Sequence, residues 1–180
     1  MQYDPACQIL GCVSLSALLI VAALHKLFDP ETFRGTLAGY RLLPKPVLLP
    51  MGVLVPRMEV AVGMALLYPN ESVRSVALLA GAALLSAYAA AMGINIRRGN
   101  RSIDCGCLGF GARRPRLIWA LVVRNLMIAA LALGLALLQP GERALLWFDW
   151  VSIAGGFATM CLLYACLDLL FTLSSSEIAP

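Results

Sequence analysis

The sequence predicts an all-α integral membrane protein, with a four-helix core and a fifth, C-terminal transmembrane helix. Of its 180 residues, 61% are hydrophobic and only 13% are charged, whereas about a quarter of an average soluble domain is charged. So few charges could not cover so much apolar surface in water. Five apolar runs are each long enough, at roughly 20 residues, to cross the hydrocarbon layer. Helices are expected because lipid offers no partner for unpaired backbone groups.

The five predicted spans belong to one transmembrane domain that covers residues 1–180. They lie at about 8–28, 47–68, 73–96, 117–138 and 150–170. Because the amino terminus lacks the basic segment of a secretory signal, the first run is expected to be a retained span. The connection at 29–46 is expected to be a polar loop. The connection at 97–116 is a second loop, and parity places both loops on the same side of the membrane.

The second loop contains a pair of cysteines, Cys105 and Cys107, separated by one glycine. Gly106 permits the bend that a disulfide between residues this close requires. Such a small ring is expected to be strained, which favours a readily reduced, catalytic disulfide. The flanking arginines favour the thiolate, whereas Asp104 opposes it or accepts a proton. These arginines are Arg97, Arg98, Arg101, Arg113, Arg114 and Arg116. The pattern predicts a redox-active pair with Cys105 and Cys107 as the catalytic residues.

Most polar residues within the spans are expected in the same half of the bundle as this pair. The predicted supporting residues are His25, Lys26, Glu59, Asp104, Arg124 and Asn125. Charged groups at depth are costly and usually face a partner or a cavity. An ion pair between Glu59 and Arg124 is therefore expected, with Arg57 as a competitor for Glu59. A purely structural interpretation is also open for two of these predictions: His25 could be an interfacial side chain, and the Glu59–Arg124 pair could only stabilise the packing.

Other functions of the cysteine pair stay open. Two thiolates could bind a soft metal such as Cu(I), and the arginine-rich loop could dock a maturation factor without redox turnover. No metal site is assigned, because zinc requires four ligands and the chain has one histidine. Cys7, Cys12, Cys161 and Cys166 are interpreted as structural. The net charge of +4 resides mainly in loops, which indicates a bilayer as partner and no nucleic acid.

Four segments resemble the MauE family of methylamine-utilisation accessory membrane proteins, which are DoxX-like. They read AALHKLFDPETFRGTLAGYRLLP, VPRMEVAVGMALL, NIRRGNRSIDCGCLG and WALVVRNLMIAALAL. The resemblance implies a bacterial inner-membrane protein that assists maturation of methylamine dehydrogenase, whose small subunit is disulfide-rich and periplasmic. It also implies a thioredoxin-like, MauD-like partner. The expected function is thus a quinone-linked thiol oxidoreductase that supports disulfide formation in such a client.

A more distant similarity to vitamin K epoxide reductase and DsbB implies electron transfer from thiols to a membrane quinone. The quinone is then expected near Glu59, Arg124 and Asn125. The chain departs from those enzymes in two respects, since its cysteine motif is one residue shorter and the 29–46 loop contains no cysteine. A partner thiol would therefore have to attack Cys105 or Cys107 directly. Transfer in the opposite direction is equally compatible with the sequence.

The charge distribution and the expected function point to opposite orientations. Ten basic residues flank the side of the cysteine pair, and two, Arg74 and Arg143, flank the other. The ten are Lys26, Arg34, Arg41, Lys45, Arg97, Arg98, Arg101, Arg113, Arg114 and Arg116. The positive-inside rule places that side in the cytoplasm, whereas stable disulfides belong in the periplasm. The sequence leaves both orientations open.

Overall fold

The computed structural model describes residues 2–100, 119–141 and 143–177, and it confirms the all-α membrane class. The described helices are α1 (Pro5–Phe28), α2 (Pro30–Tyr40), α3 (Lys45–Leu66), α4 (Glu71–Arg97), α5 (Trp119–Leu137) and α6 (Trp147–Glu177). All but α2 contain a stretch long and apolar enough to cross a membrane. Two short strands, β1 (Gln2–Tyr3) and β2 (Gln139–Pro140), pair in parallel.

Helices α1, α3, α4 and α5 form the core, and α6 packs on α1. The larger hydrophobic cluster lies towards the amino terminus of α1 and contains Cys12, Leu15, Leu19, Val62, Leu66, Ala77, Leu78, Ala82, Leu85, Ala129 and Ala132. Helices α1 and α3 approach closely at Gly63, where an added Cβ would lie 2.7 Å from Ile20 Cγ1. The Ser16 hydroxyl donates a 2.7 Å hydrogen bond to the Gly63 carbonyl. These contacts fix the register of α1 against α3.

The segment predicted as a polar loop at 29–46 contains helix α2, so that prediction is wrong in its main part. Asp29 caps the helix, because its carboxylate accepts a 3.1 Å hydrogen bond from the Thr32 amide. Pro30 at the first position and Glu31 in the first turn are also typical helix-start residues. The helix ends at Arg41, which has a left-handed φ of 50°. Short polar segments with strong caps form helices when one face can pack.

Helix α2 covers the first part of α3, which extends beyond the end of α1. Lys26, two residues before the end of α1, pairs with Glu59 of α3. Since α3 begins at Lys45, about 20 Å of α3 precedes Glu59 at 1.5 Å per residue. Helix α2 packs beside this part of α3, and the stem of Arg34 lies against Gly52. A second cluster of buried apolar residues lies at this end and contains Tyr40, Ala89, Met92, Ile96, Leu121 and Val122.

The opposite end of the bundle is joined by Arg143. Its guanidinium donates hydrogen bonds of 3.0 and 2.9 Å to the two carboxylate oxygens of Asp4, which caps α1. It also binds Asp149 in the first turn of α6, with Nη1 2.8 Å from Oδ2. Asp149 Oδ2 additionally accepts a bond from the Leu146 amide. One side chain therefore connects the starts of α1 and α6.

Candidate functional site: a buried Lys26–Glu59–Tyr88 cluster beside a cavity

Three polar side chains from three helices meet between the two apolar clusters. Glu59 Oε1 accepts a hydrogen bond from the Lys26 ammonium and one of 2.6 Å from the Tyr88 hydroxyl. Lys26 Nζ also lies 3.4 Å from the Tyr88 oxygen. The ammonium is 4.8 Å from the ring centroid of Tyr88 and 5.3 Å from that of Phe33. Two aromatic rings and a carboxylate thus surround one cation.

The cluster is shielded from the surroundings. The exposed fraction is 0% for Glu59 and 5% for Lys26. Burial of an isolated charge is prohibitive, so the two charges are stable here only because they neutralise each other and make further hydrogen bonds, Lys26 as donor and Glu59 as acceptor. Glu59 Oε2, however, is buried and has no hydrogen-bond partner among the described residues. The carboxylate therefore retains capacity to accept one more hydrogen bond or a proton.

A cavity of about 250 Å³ adjoins the cluster, and Lys26 and Tyr88 form part of its wall. The other lining residues are Phe33, Thr36, Leu37, Tyr40, Leu42, Leu43, Val55, Ala87, Ala91 and Met92. Four of them recur at helical spacing along α2, so one face of α2 closes the cavity. The cavity combines mostly apolar walls with a few polar groups, which is typical of small-molecule sites.

The expected ion pair between Glu59 and Arg124 is not formed, because Lys26 is the partner of Glu59. The Arg124 guanidinium instead lies 5.0 Å from the ring centroid of Tyr164 in α6. Arg57, the expected competitor, is exposed on α3. Lys26, Arg57 and Arg124 lie at similar depths in the membrane, but they stand on differently oriented helix faces, and only Lys26 faces Glu59. The structure therefore brings together Lys26 and Glu59 of the predicted supporting set.

The remaining predicted residues are placed as follows. Asn125 is buried, and its Nδ2 has no hydrogen-bond partner among the described residues. His25 is exposed at the end of α1. Asp104, Cys105 and Cys107 lie outside the described residues, as does the rest of the segment 101–118.

The described residues that flank this segment are anchored near the cavity. The Asn100 side-chain amide donates a 3.3 Å hydrogen bond to the Gly39 carbonyl, close to the end of α2. Asn100 also bonds to the Asn95 side chain of α4 at 3.4 Å. Trp119, where the description resumes, approaches Gly93 of α4. Asn100, which follows α4 and precedes residues 101–118, therefore lies beside the end of α2, the helix that forms one wall of the cavity.

Sequence reasoning missed Tyr88 and the aromatic residues of α2. Tyr88 stands in a long apolar run, where a single hydroxyl gives no signal of its own. Phe33 and Tyr40 could have been found, because the order Asp29, Pro30, Glu31 indicates the start of a helix. A helix from that point places Phe33 and Tyr40 on one face.

Comparison with known proteins identifies the family. The family model described as methylamine utilisation protein MauE matches residues 5–138. The methylamine utilization protein MauE of Paracoccus denitrificans is 38% identical over 168 residues, which cover 93% of this chain and 88% of that protein. The MauE protein of Methylorubrum extorquens is 36% identical over 154 residues, with 83% and 80% covered.

A third relative, the MauE protein of Paracoccus versutus, is 40% identical over 129 residues, which cover 72% of this chain and 68% of that protein. No solved structure shows significant similarity to the chain. The family model spans α1 to α5, including the buried cluster and the cavity wall. The chain belongs to the MauE family of methylamine utilisation proteins.

Proposed function

We propose that this protein is an inner-membrane thiol–disulfide redox protein with Cys105 and Cys107 as its redox pair. It assists disulfide formation in methylamine dehydrogenase or a similar periplasmic protein, together with a thioredoxin-like partner. The observation that carries this proposal is the Cys105-Gly106-Cys107 motif in a chain that belongs to the MauE family. The anchoring of Asn100 supports it, because Asn100 is five residues before Cys105 in the sequence and binds Gly39, the neighbour of Tyr40 in the cavity wall.

The chemistry is a disulfide exchange followed by reoxidation. A thiolate of the partner attacks the Cys105–Cys107 disulfide and forms a mixed disulfide. The second partner thiol resolves it, so that the partner gains a disulfide and this chain gains two thiols. Cys105 and Cys107 then lose two electrons and two protons as their disulfide re-forms. A membrane quinone would supply the acceptor and leave as quinol, so electrons and protons balance.

The cavity fits such an acceptor better than the surroundings of Arg124 do. Arg124 and Asn125 are absent from the cavity wall, whereas Lys26 and Tyr88 belong to it. Apolar walls suit the body of a quinone, and the Lys26 ammonium has further N–H groups that can donate a hydrogen bond to a carbonyl oxygen. Glu59 holds both donors in place through Oε1. Its role is to position these two side chains at the cavity wall.

The redox proposal is tested by trapping thiols in intact cells with a membrane-impermeant maleimide, followed by mass spectrometry of Cys105 and Cys107. Labelling only after prior reduction is expected, since the proposal requires a disulfide at the periplasmic face. Free thiols that are labelled only in broken cells would overturn it and favour docking or Cu(I) binding. Oxidation of the partner should also fail in Cys105→Ser and in Cys107→Ser variants.

The quinone part is tested separately in proteoliposomes. Reduced protein is mixed with a short-chain ubiquinone, and disulfide formation is followed. Ala91→Phe, which fills the cavity, should slow reoxidation at least tenfold, whereas Ala90→Phe on the exposed face of α4 should not. Equal rates for both variants would exclude the cavity as the quinone site. An unreactive wild type would exclude the quinone itself and leave the thiol exchange intact.

A further inference from the structure

The outward face of α3 carries an arginine in an otherwise apolar row. We define the outer face of α3 by Pro50, Leu54, Arg57, Ala61 and Met64, which are all exposed. Their spacing of four, three, four and three residues places them along one side of the helix. The residues that α3 buries, among them Gly52, Pro56, Glu59 and Leu66, occupy the opposite side. Arg57 therefore points away from the bundle.

Arg57 lies near the middle of its span. It stands 12 residues after Lys45 and nine before Leu66, the ends of α3, which corresponds to about 18 Å and about 14 Å. Both distances are considerably longer than an extended arginine side chain. Arginines near helix ends can extend their side chains to the headgroups. The guanidinium of Arg57 is too far from either end of α3 to do so.

Within the described residues, Arg57 has no ion pair or hydrogen bond from its side chain. A charge near the centre of the hydrocarbon is costly and is normally paired or turned towards an interior. The neighbouring exposed residues Leu54 and Met58 are apolar and supply no partner. A monomer in lipid would thus carry an uncompensated cation on this face.

We propose that the outer face of α3 binds a transmembrane helix of a partner protein, and that this helix carries an aspartate or glutamate near the middle of its span. The carboxylate would pair with Arg57, and both charges would be removed from lipid together. Pro50 and Ala61 give the outer face of α3 a slim profile, which allows a second helix to approach closely. The proposal does not depend on the chemistry of the cysteine pair.

Charge complementarity favours a different protein over a second copy of this chain. Among the described side chains, Glu59 is the one carboxylate near the middle of a span, and it is buried against Lys26. A symmetric dimer through this face would bring two Arg57 side chains together, which is repulsive. A phospholipid phosphate would have to sink far below the headgroup layer to reach Arg57. A carboxylate on a partner helix needs no such deformation.

The first test uses synthetic transmembrane peptides in liposomes. Two leucine–alanine helices are compared, one with a central glutamate and one with glutamine, and binding is followed by energy transfer to the labelled protein. The glutamate peptide should bind wild type about threefold to thirtyfold more tightly, the range of interhelical polar contacts. Arg57→Gln should abolish this difference, whereas Arg57→Lys should retain part of it. Arg97→Gln, at the end of α4, is the matched control and should behave as wild type.

The second test identifies the occupant in the native host. Leu54 or Met64 is replaced by p-benzoylphenylalanine, with Leu131 on the exposed side of α5 as control. Adducts to one membrane protein are expected from Leu54 and Met64 only. The cross-linked peptide should contain an intramembrane Asp or Glu, and Arg57→Gln should remove the adduct. Adducts between two copies of the chain, adducts to lipid alone, or a partner helix without a carboxylate would each overturn the proposal. So would equal binding of both peptides in the first test.

Discussion

The hydroxyl of Tyr88 donates a 2.6 Å hydrogen bond to Oε1 of Glu59, the same oxygen that accepts from Lys26. The two oxygens of this carboxylate are therefore unequal. Oε1 carries both contacts, and Oε2 has no partner among the described residues. The arrangement leaves one oxygen of the buried carboxylate for a further donor.

Removal of Lys26 should destabilise the bundle strongly. Lys26→Met leaves the Glu59 carboxylate buried without its counter-charge, which costs about 3–5 kcal/mol in the free energy of unfolding. The measurement is reversible unfolding in detergent. The double variant Lys26→Met with Glu59→Leu should recover most of the loss, because no charge then remains. Lys45→Met, at the exposed start of α3, is the control. A double variant no better than the single would contradict this account of the ion pair.

Loss of the Tyr88 hydroxyl should have a smaller effect. Tyr88→Phe removes a hydrogen bond to a charged acceptor, worth about 1.5–3 kcal/mol, but keeps the ring near the Lys26 ammonium. Tyr88→Leu removes both contacts and should cost more than Tyr88→Phe. The same unfolding measurement applies, with the exposed Tyr68→Phe as control. If Tyr88→Phe were as stable as wild type, the 2.6 Å contact would not contribute to stability.

The cap at Asp29 should control the local stability of α2. Asp29→Ala removes the acceptor for the Thr32 amide, and the loss of such a cap costs about 1 kcal/mol. Hydrogen exchange at residues 31–40 should therefore quicken, while exchange in α4 stays as in wild type. Asp29→Asn should retain most of the protection, since an amide oxygen also accepts. Uniform acceleration over the whole bundle would show instead that α2 does not open on its own.

Arg143 should hold the amino terminus in place at neutral and alkaline pH. Hydrogen bonds to Asp149 and Asp4 hold the pKa of Arg143 above its already high ordinary value. A raised pKa on a base means that the alkaline loss of the contact moves to still higher pH, beyond the working range, so the contact persists wherever Asp4 and Asp149 are ionised. Arg143→Gln should thus increase proteolysis near Gln2–Tyr3 at neutral and alkaline pH alike. Arg98→Gln, at the end of α4, should leave cleavage unchanged.

Hydropathy predicts the spans because the length of an apolar run can be read from the sequence without knowledge of the other helices. The ion-pair partner of Glu59 cannot be predicted in this way, because it depends on how the helices are rotated relative to one another. Sequence gives the depth of Lys26, Arg57 and Arg124, but it does not give the rotation of each helix about its axis. The close approach at Gly63 and the register that follows from it decide that Lys26 reaches Glu59. The polar composition of residues 29–46 favours a loop, whereas Asp29 and Pro30 at their start indicate the helix that the structure shows.

Helix α2 is joined to α1 through Asp29 alone, and the larger apolar cluster lies in the other half of the bundle. The α2 wall of the cavity is therefore separate from the part of the chain that carries most of the packing. Substitutions at Thr36 or Leu37, which belong to neither buried apolar cluster, alter the cavity at little cost to the core. The shape of the cavity can thus change on its α2 side while the bundle beneath it stays the same.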